Sequence, residues 1–193
     1  MQICETKIKG VYIAKPNIYR DPRGYFMESF RMDIWEPVIG SVRFIQENES
    51  FSTQDVLRGL HYQLPPYGQS KLIRTVWGTV MDVVVDMRLE SSTFGQYHVE
   101  ILDDKEKKQL FVPSCFAHGF VVISPEAIVQ YKVDLPYHPI SERTLRFDDP
   151  FLQIEWGVCL DSCILSDKDK LGLTWQEAVK ELRITNKELI INN

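Results

Sequence analysis

The sequence has few cysteines, no long hydrophobic run and no excess of positive charge. It holds four cysteines in 193 residues, none in a C-x-x-C pair, so we expect reduced thiols rather than a disulfide framework. No stretch approaches the ~18 consecutive apolar residues of a membrane span. The first residues show no basic start followed by an apolar run, so we expect no secretory signal and a cytoplasmic location. Lys and Arg total 22 against 27 Asp and Glu, which argues against a nucleic-acid-binding protein.

What is present is the composition of a folded protein, with 44% apolar and 25% charged residues. The length predicts one domain, residues 1–193, with a helical C-terminal tail from about residue 165. Short strands separated by turn formers dominate, and in one of them Met81, Val83, Val85 and Met87 alternate with Asp82 and Asp86. Recurring short strands favour an all-β fold, a sandwich or barrel of antiparallel sheets. The predicted strands cover residues 10–14, 25–30, 42–46, 56–62, 72–77, 79–88, 97–102, 109–112, 119–123, 128–133 and 143–147.

Two helices are predicted. Residues 32–39 form the first, although Pro37 lies inside it. Residues 175–182 form the second, which follows a capping-box pair, Thr174 and Glu177. Its apolar residues recur at i, i+3, i+4 and i+7, so we interpret them as a face that packs against the barrel.

Histidine is scarce, which narrows the chemistry. The four histidines show no H-x-H or H-E-x-x-H spacing, so we predict no metal site. An imidazole has an unperturbed pKa of about 6.5, which suits proton transfer near neutral pH. The sequence therefore favours acid–base chemistry by a histidine.

His61 has the most informative surroundings. Arg58 on the same predicted strand, Gln63 just after it and Lys71 just before the next bring polar groups into a strand pair that would otherwise be apolar. Arg58 and His61 are three residues apart, so a regular strand would point them to opposite faces. If both line one cavity, Gly59 marks a bulge that resets the alternation. The alternative, a histidine that is simply satisfied in the core or at the surface, stays open.

Three further places hold candidate site residues. His118, near a tight bend, would be either a structural hydrogen-bond donor or a partner for a substrate oxygen. Tyr131 ends an apolar run and becomes a proton donor only if its hydroxyl reaches the cavity. In the segment 21–28, Arg23 would bind a phosphate and the two aromatic residues would stack on a base. A plain surface hairpin is the alternative for that segment.

Taken in order, these residues resemble the dTDP-4-dehydrorhamnose 3,5-epimerase family, from about residue 10 to residue 172. The chain departs from the family's pattern at Pro136, where an aromatic residue is usual, and at Gly157, where proline is usual. The resemblance is carried by Asp21…Arg23-Gly24…Phe26…Glu28, Gln46…Asn48, Arg58-Gly59-Leu60-His61-Tyr62-Gln63, Lys71-Leu72, Asp82-Val83…Val85-Asp86, Thr93-Phe94-Gly95, Ala117-His118-Gly119-Phe120, Tyr131-Lys132, Asp149-Pro150, Ile154-Glu155-Trp156 and Leu165-Ser166-Asp167-Lys168-Asp169.

The resemblance implies a cupin-type double-stranded β-helix, a jelly-roll barrel with a few short helices that are mainly C-terminal, and an enzyme without a cofactor. It implies four catalytic residues: the general base His61, its carboxylate partner Asp169, the acid Tyr131 on the opposite face, and Lys71 beside the enolate oxygen. It implies substrate contacts by Arg23, Phe26, Glu28, Gln46, Asn48, Arg58, His118, Glu142 and Lys168.

The implied activity is epimerisation at C3 and C5 of dTDP-4-dehydro-6-deoxy-D-glucose to dTDP-4-dehydro-L-rhamnose, a step of dTDP-L-rhamnose biosynthesis that supplies polysaccharide precursors. The expected partners are the dTDP-linked sugar and a second copy of the chain in a homodimer, with no nucleic acid and no membrane. Two alternatives stay open. One is an epimerase that inverts a single centre of another nucleotide-linked 4-keto-6-deoxy sugar, and the other is a non-catalytic cupin-like sugar-binding protein.

Overall fold

Strands dominate the computed structural model, which describes residues 1–191. The strands are β1 (Gln2–Glu5), β2 (Tyr12–Lys15), β3 (Tyr19–Asp21), β4 (Gly24–Phe26), β5 (Gln46–Thr53), β6 (Leu57–Gln63), β7 (Lys71–Trp77), β8 (Thr79–Asp86), β9 (Tyr97–Asp103), β10 (Gln109–Val112), β11 (Phe116–Val122), β12 (Glu126–Val133) and β13 (Glu142–Thr144). The helices are α1 (Met32–Ile39), α2 (Asp167–Lys170) and α3 (Trp175–Ile191), and a 3-10 turn covers Leu160–Ser162.

Two antiparallel sheets form the main body of the fold. The six-stranded sheet has the order β1-β2-β10-β7-β12-β5, and the five-stranded sheet has the order β13-β6-β11-β8-β9. A core cluster joins them, with Ile73 and Val129 from the larger sheet and Val84 and Phe120 from the smaller one. The predicted all-β fold of antiparallel sheets is confirmed.

Helix α1 covers part of the outer face of the six-stranded sheet. Trp35 is fully buried, and its ring packs on Phe111 of β10 with centroids 6.1 Å apart. The helix has the predicted bounds, because this packing offsets the backbone hydrogen bond that Pro37 cannot donate. It ends at Gly40, which has a φ of 68°.

Helix α3 begins as predicted. The backbone N–H of Thr174 donates to Glu177 Oε2 at 2.9 Å, and the N–H of Glu177 donates to Thr174 Oγ1 at 3.3 Å. The predicted apolar face is buried at Trp175, Ala178 and Leu182. The capping box and the packed face are confirmed.

The structure differs from the prediction where the hydrophobic pattern is absent. Helix α3 continues past its predicted end at residue 182 to Ile191. The extension was not predicted because the isoleucines at positions 184, 190 and 191 are exposed and do not extend the buried apolar face. Strand β5 begins at residue 46, where the predicted strand 42–46 ends, because its outward positions are mostly polar along the edge of the sheet. Strands β1 and β3 are not among the predicted elements, and helix α2 lies in the predicted helical tail, which gave it no bounds. No helix within residues 1–191 is long and apolar enough to cross a membrane.

Candidate active site

A cavity of about 460 Å³ lies between the two sheets. One wall comes from β6 and β11 of the five-stranded sheet, and the other comes from β5, β7 and β12 of the six-stranded sheet. Eight of the predicted site residues line it: Gln46, Asn48, Arg58, His61, Lys71, His118, Tyr131 and Glu142.

A bulge in β6 places Arg58 and His61 in the same cavity. His61 pairs with His118 of β11 and Arg58 pairs with Phe120, so a step of three residues on β6 faces a step of two on β11. Gly59, inside this step, has a φ of 115°. A Cβ atom there would lie 2.7 Å from the Cα of Gly119, which only glycine avoids. The predicted bulge at Gly59 is confirmed.

His61 forms a hydrogen-bonded pair with a buried carboxylate. Its Nε2 lies 2.6 Å from Oδ1 of Asp169, whose side chain is 3% exposed. Burial opposes ionisation, yet the hydrogen bonds from His61 and Ser166 hold the pKa of the Asp169 carboxyl below its usual value. An ionised carboxylate only accepts hydrogen bonds, so Nε2 carries the hydrogen. In the neutral form of such an imidazole, Nδ1 holds the lone pair that can take a proton.

Helix α2 holds that carboxylate in place. Ser166 is its N-cap residue: the Ser166 hydroxyl accepts from the backbone N–H of Asp169 at 3.2 Å and donates to Oδ2 at 2.7 Å. Both oxygens of Asp169 are therefore bonded, which fixes the plane of the carboxylate relative to the imidazole.

A second histidine–carboxylate pair lies beside the first. Nε2 of His118 is 2.9 Å from Oδ2 and 3.0 Å from Oδ1 of Asp82, which is fully buried on β8. Burial raises the pKa of Asp82, and His118 opposes that rise. Asp82 is among the residues that carry the family resemblance but not among the predicted site residues, because an acid in an alternating strand is typical of a solvent-facing position. A sequence signal for this pair was available: Asp82 is an acidic residue within a strand that is otherwise apolar enough to be central and buried.

The six-stranded sheet presents Tyr131 and Lys71 to the cavity. Tyr131 lies opposite Ile73 of β7, and Lys71 lies opposite Val133 of β12, so the two side chains are diagonal neighbours on adjacent strands. Burial raises the pKa of Tyr131, with Arg58 opposing, so the phenol is protonated at neutral pH. Burial lowers the pKa of the Lys71 ammonium to about 8, although the carboxylates of Asp134, Glu142 and Asp82 favour its charged form.

At the rim, Glu142 connects two further side chains. It accepts a hydrogen bond from the hydroxyl of Tyr137 and forms an ion pair with Lys168. Burial opposes ionisation, but these two partners keep the pKa of Glu142 below its ordinary value. Lys168 thus reaches the site through Glu142 and does not itself line the cavity. Tyr137, which lines the cavity, was not among the predicted site residues.

Three predicted site residues lie away from the cavity within this single chain. Arg23 and Phe26 belong to the β3–β4 hairpin, where the Arg23 side chain is 89% exposed and bonds to Asp21 at 2.6 Å, and Phe26 is 68% exposed. Glu28 follows the hairpin and pairs with Arg31. In residues 1–191, no three His, Cys, Asp or Glu side chains converge as ligands for a metal ion.

The sequence was compared with models of known protein families to identify the family to which this site belongs. The family model described as dTDP-4-dehydrorhamnose 3,5-epimerase matches residues 5–177. The chain belongs to this family. The match agrees with the resemblance drawn from the motifs, and membership in a family of isomerases confirms the predicted enzyme class.

Relatives of the epimerase family are similar over nearly the whole chain. The dTDP-4-dehydrorhamnose 3,5-epimerase of Shigella flexneri is 45% identical over 179 residues, 92% of this chain and 98% of the relative. The crystal structure of an epimerase from Legionella pneumophila Philadelphia 1, in complex with dTDP-4-keto-L-rhamnose, is 42% identical with a TM-score of 0.89 and covers 94% of this chain and 96% of that chain. A dTDP-4-dehydrorhamnose 3-epimerase of Streptomyces niveus is 35% identical and covers 92% of this chain and 86% of the relative. The structural likeness confirms the cupin-type jelly-roll barrel.

Proposed function

We propose that the chain inverts C3 and C5 of dTDP-4-dehydro-6-deoxy-D-glucose to give dTDP-4-dehydro-L-rhamnose. One observation carries this proposal: a histidine–carboxylate pair, His61–Asp169, and a protonated phenol, Tyr131, face one cavity from opposite sheets. Inversion of a carbon requires proton removal from one face and proton delivery to the other. Two groups on opposite walls meet that requirement.

The substrate's own ketone makes the proton transfer feasible. Hydrogens on C3 and C5 flank the C4 carbonyl, so the loss of either one gives an enolate whose charge rests on O4. The Lys71 ammonium faces the cavity, where it stabilises that charge as it develops. An interaction that strengthens along the reaction lowers the barrier rather than only tightening binding.

His61 takes the carbon-bound proton through Nδ1, and the Asp169 carboxylate stabilises the imidazolium that forms. A positioned base of this kind contributes about 10²–10⁴-fold to the rate. Tyr131 then delivers a proton to the opposite face of the carbon. The phenolate regains its proton from solvent, His61 releases its own, and the sequence repeats at the second centre.

Phosphate binding needs a local positive patch, because the net charge of the chain is −5. Arg58 supplies part of it, since its guanidinium lies at the cavity and is held by bonds to Ser52 Oγ and the Phe51 carbonyl. We infer that Arg23, Phe26 and Glu28 act on the cavity of a second copy in a homodimer, because none of them lines the cavity of its own chain. The other predicted contacts, Gln46, Asn48, His118 and Glu142, line the cavity directly, and Lys168 acts through Glu142.

The proposal favours two inverted centres over one. The relative named for both centres is 45% identical to this chain, against 35% for the relative named for the 3-position alone. A non-catalytic sugar-binding protein would need the cavity but not a base, an acid and a cation together.

We also infer a cytoplasmic location, because Cys4, Cys115 and Cys159 are exposed free thiols, which an oxidising compartment would not preserve.

The deciding experiment is proton NMR of dTDP-4-dehydro-6-deoxy-D-glucose with the enzyme in D₂O, beside an enzyme-free sample that measures spontaneous exchange. Deuterium at both C3 and C5, together with the L-rhamno product, supports the proposal. Deuterium at one carbon alone identifies a single-centre epimerase. Exchange equal to the enzyme-free sample would refute an epimerase activity on this substrate.

A further inference from the structure

Two loops meet at the rim of the cavity and contribute side chains to its wall. The first covers residues 64–70, between β6 and β7, and the second covers residues 134–141, between β12 and β13. We call them the first and second rim loops. Gln69 of the first loop and Tyr137 of the second line the cavity. The position of these loops relative to each other therefore sets the shape of the entrance.

The side chain of Gln63, the last residue of β6, connects the two rim loops. Its Nε2 donates to the carbonyl oxygen of Tyr67 in the first loop at 2.6 Å. Its Oε1 accepts from the backbone N–H of His138 in the second loop at 2.7 Å. Gln63 is 7% exposed, so water does not replace these bonds when they are lost. Both ends of one carboxamide are thus used, one for each loop.

A ring stack reinforces the same junction. The rings of Tyr67 and His138 are parallel, with centroids 3.7 Å apart. The hydroxyl of Ser141 donates to the His138 carbonyl at 3.1 Å and lies 3.0 Å from His138 Nδ1, which anchors the imidazole. His138 directly follows Tyr137, so the junction fixes the backbone that carries Tyr137 into the cavity wall.

We propose that Gln63 is a positioning residue for substrate binding. Its carboxamide holds the two rim loops together, so that Gln69 and Tyr137 are in place before the nucleotide sugar enters. The proposal rests on the proposed function, since it requires that the dTDP-linked sugar binds in the cavity whose rim these loops form. A carboxylate in this place would accept from His138 but repel the Tyr67 carbonyl, and an aliphatic side chain would satisfy neither loop.

The first test measures dTDP binding by calorimetry, which needs no turnover. Gln63→Leu is neutral and removes both bonds, but Gln63 also lines the cavity, so this variant changes the cavity wall too. His138→Ala removes the stack and changes no side chain that lines the cavity, so it tests the junction alone. We expect each to raise the Kd for dTDP and the KM for the sugar substrate by about tenfold, with kcat within about twofold of wild type. The double variant should fall well short of the product of the two single effects, because both changes release the same junction.

Trp156→Phe is the matched control for the loss of a buried hydrogen bond. The Trp156 Nε1–H donates to the Phe147 carbonyl at 2.8 Å, and Trp156 does not line the cavity. This change should lower the melting temperature and leave the Kd for dTDP unchanged.

The second test uses Gln63→Glu as a titratable version of the junction. When protonated, the introduced carboxyl donates to the Tyr67 carbonyl and accepts from the His138 N–H, as the carboxamide does. When ionised, it can only accept. The ratio of the variant's Kd for dTDP to that of wild type should therefore be near one at acid pH and rise with pH. The neighbouring titratable groups, Glu142 opposite Gln63 on β13, His138 and Tyr67, are common to both proteins and cancel in the ratio.

The results separate the two proposals. If wild type exchanges deuterium and binds dTDP while Gln63→Leu and His138→Ala bind as tightly as wild type, Gln63 has no positioning role. A ratio that stays constant with pH for Gln63→Glu would also overturn it. If wild type binds no dTDP, both the positioning role and the proposed function are wrong.

Discussion

The negative charge of Asp169 can be removed from the proposed mechanism with little change in the shape of the side chain, by replacing the carboxylate with a carboxamide. Asp169→Asn keeps an oxygen that can accept from His61 Nε2, so the geometry of the pair survives while the negative charge does not. The Asp169 side chain is 3% exposed and that of His61 is 32% exposed. Two unit charges about 4 Å apart interact by about 4 kcal/mol at an effective dielectric constant of about 20. Partial exposure of His61 reduces this to about 3 kcal/mol.

That interaction exists only after His61 has taken a proton, so its loss raises the barrier. We expect kcat for deuterium exchange at C3 and C5 to fall by about 10²- to 10³-fold, with little change in the Kd for dTDP. Ser166→Ala removes a hydrogen bond to Asp169 but keeps the charge, so it should lower kcat for exchange much less than Asp169→Asn does. A fall of less than about tenfold for Asp169→Asn would refute the assignment of imidazolium stabilisation to this carboxylate.

Asp149→Asn is the control for a buried aspartate outside the site. Asp149 is 4% exposed and accepts from the backbone N–H groups of Phe151 and Trp175, so its replacement should lower stability and leave exchange unchanged.

The pKa of Asp169 is lowered in the folded chain, so ionisation of Asp169 stabilises the fold above its unfolded pKa. That contribution is lost as pH falls. The difference in melting temperature between wild type and Asp169→Asn should therefore shrink in acid.

Three further outcomes are expected. Tyr131→Phe should still exchange deuterium into substrate but form no epimer, and NMR showing loss of both would contradict its role as the acid. Because the pKa of Lys71 is about 8 and the charged form stabilises the enolate, kcat should fall as pH rises above that value. Lys71→Met should be much slower and lack that alkaline limb, and an unchanged limb would assign it to another group. Arg23→Ala should raise KM more than it lowers kcat in steady-state assays, and an effect on kcat alone would reject phosphate binding.

Residues with a strict local requirement could be predicted from the sequence. The capping box at Thr174 needs only two side chains three residues apart, and the bulge at Gly59 follows from the three-residue spacing of Arg58 and His61. The resemblance to the family supplied most of the cavity wall, since eight of the residues it implied line one cavity.

Contacts between distant segments could not be predicted in the same way. Asp82 and His118 are 36 residues apart, and only the pairing of β8 with β11 brings them together. The junction at Gln63 depends on backbone groups of two loops, which no side-chain pattern specifies. The role proposed for the β3–β4 hairpin at the cavity of a second copy depends on assembly, which the sequence of one chain does not specify.

The proposed base, His61, and the proposed acid, Tyr131, lie on different sheets. The apolar side chains packed between the sheets therefore set the distance between them. Facing sheets lie about 10 Å apart, and here Ile73, Val84, Phe120 and Val129 fill that gap beside the cavity. A change in the bulk of any one of them would widen or narrow the distance between imidazole and phenol. Three of these four side chains, Ile73, Val84 and Val129, do not line the cavity, so the proposed reaction depends in part on apolar residues outside the site.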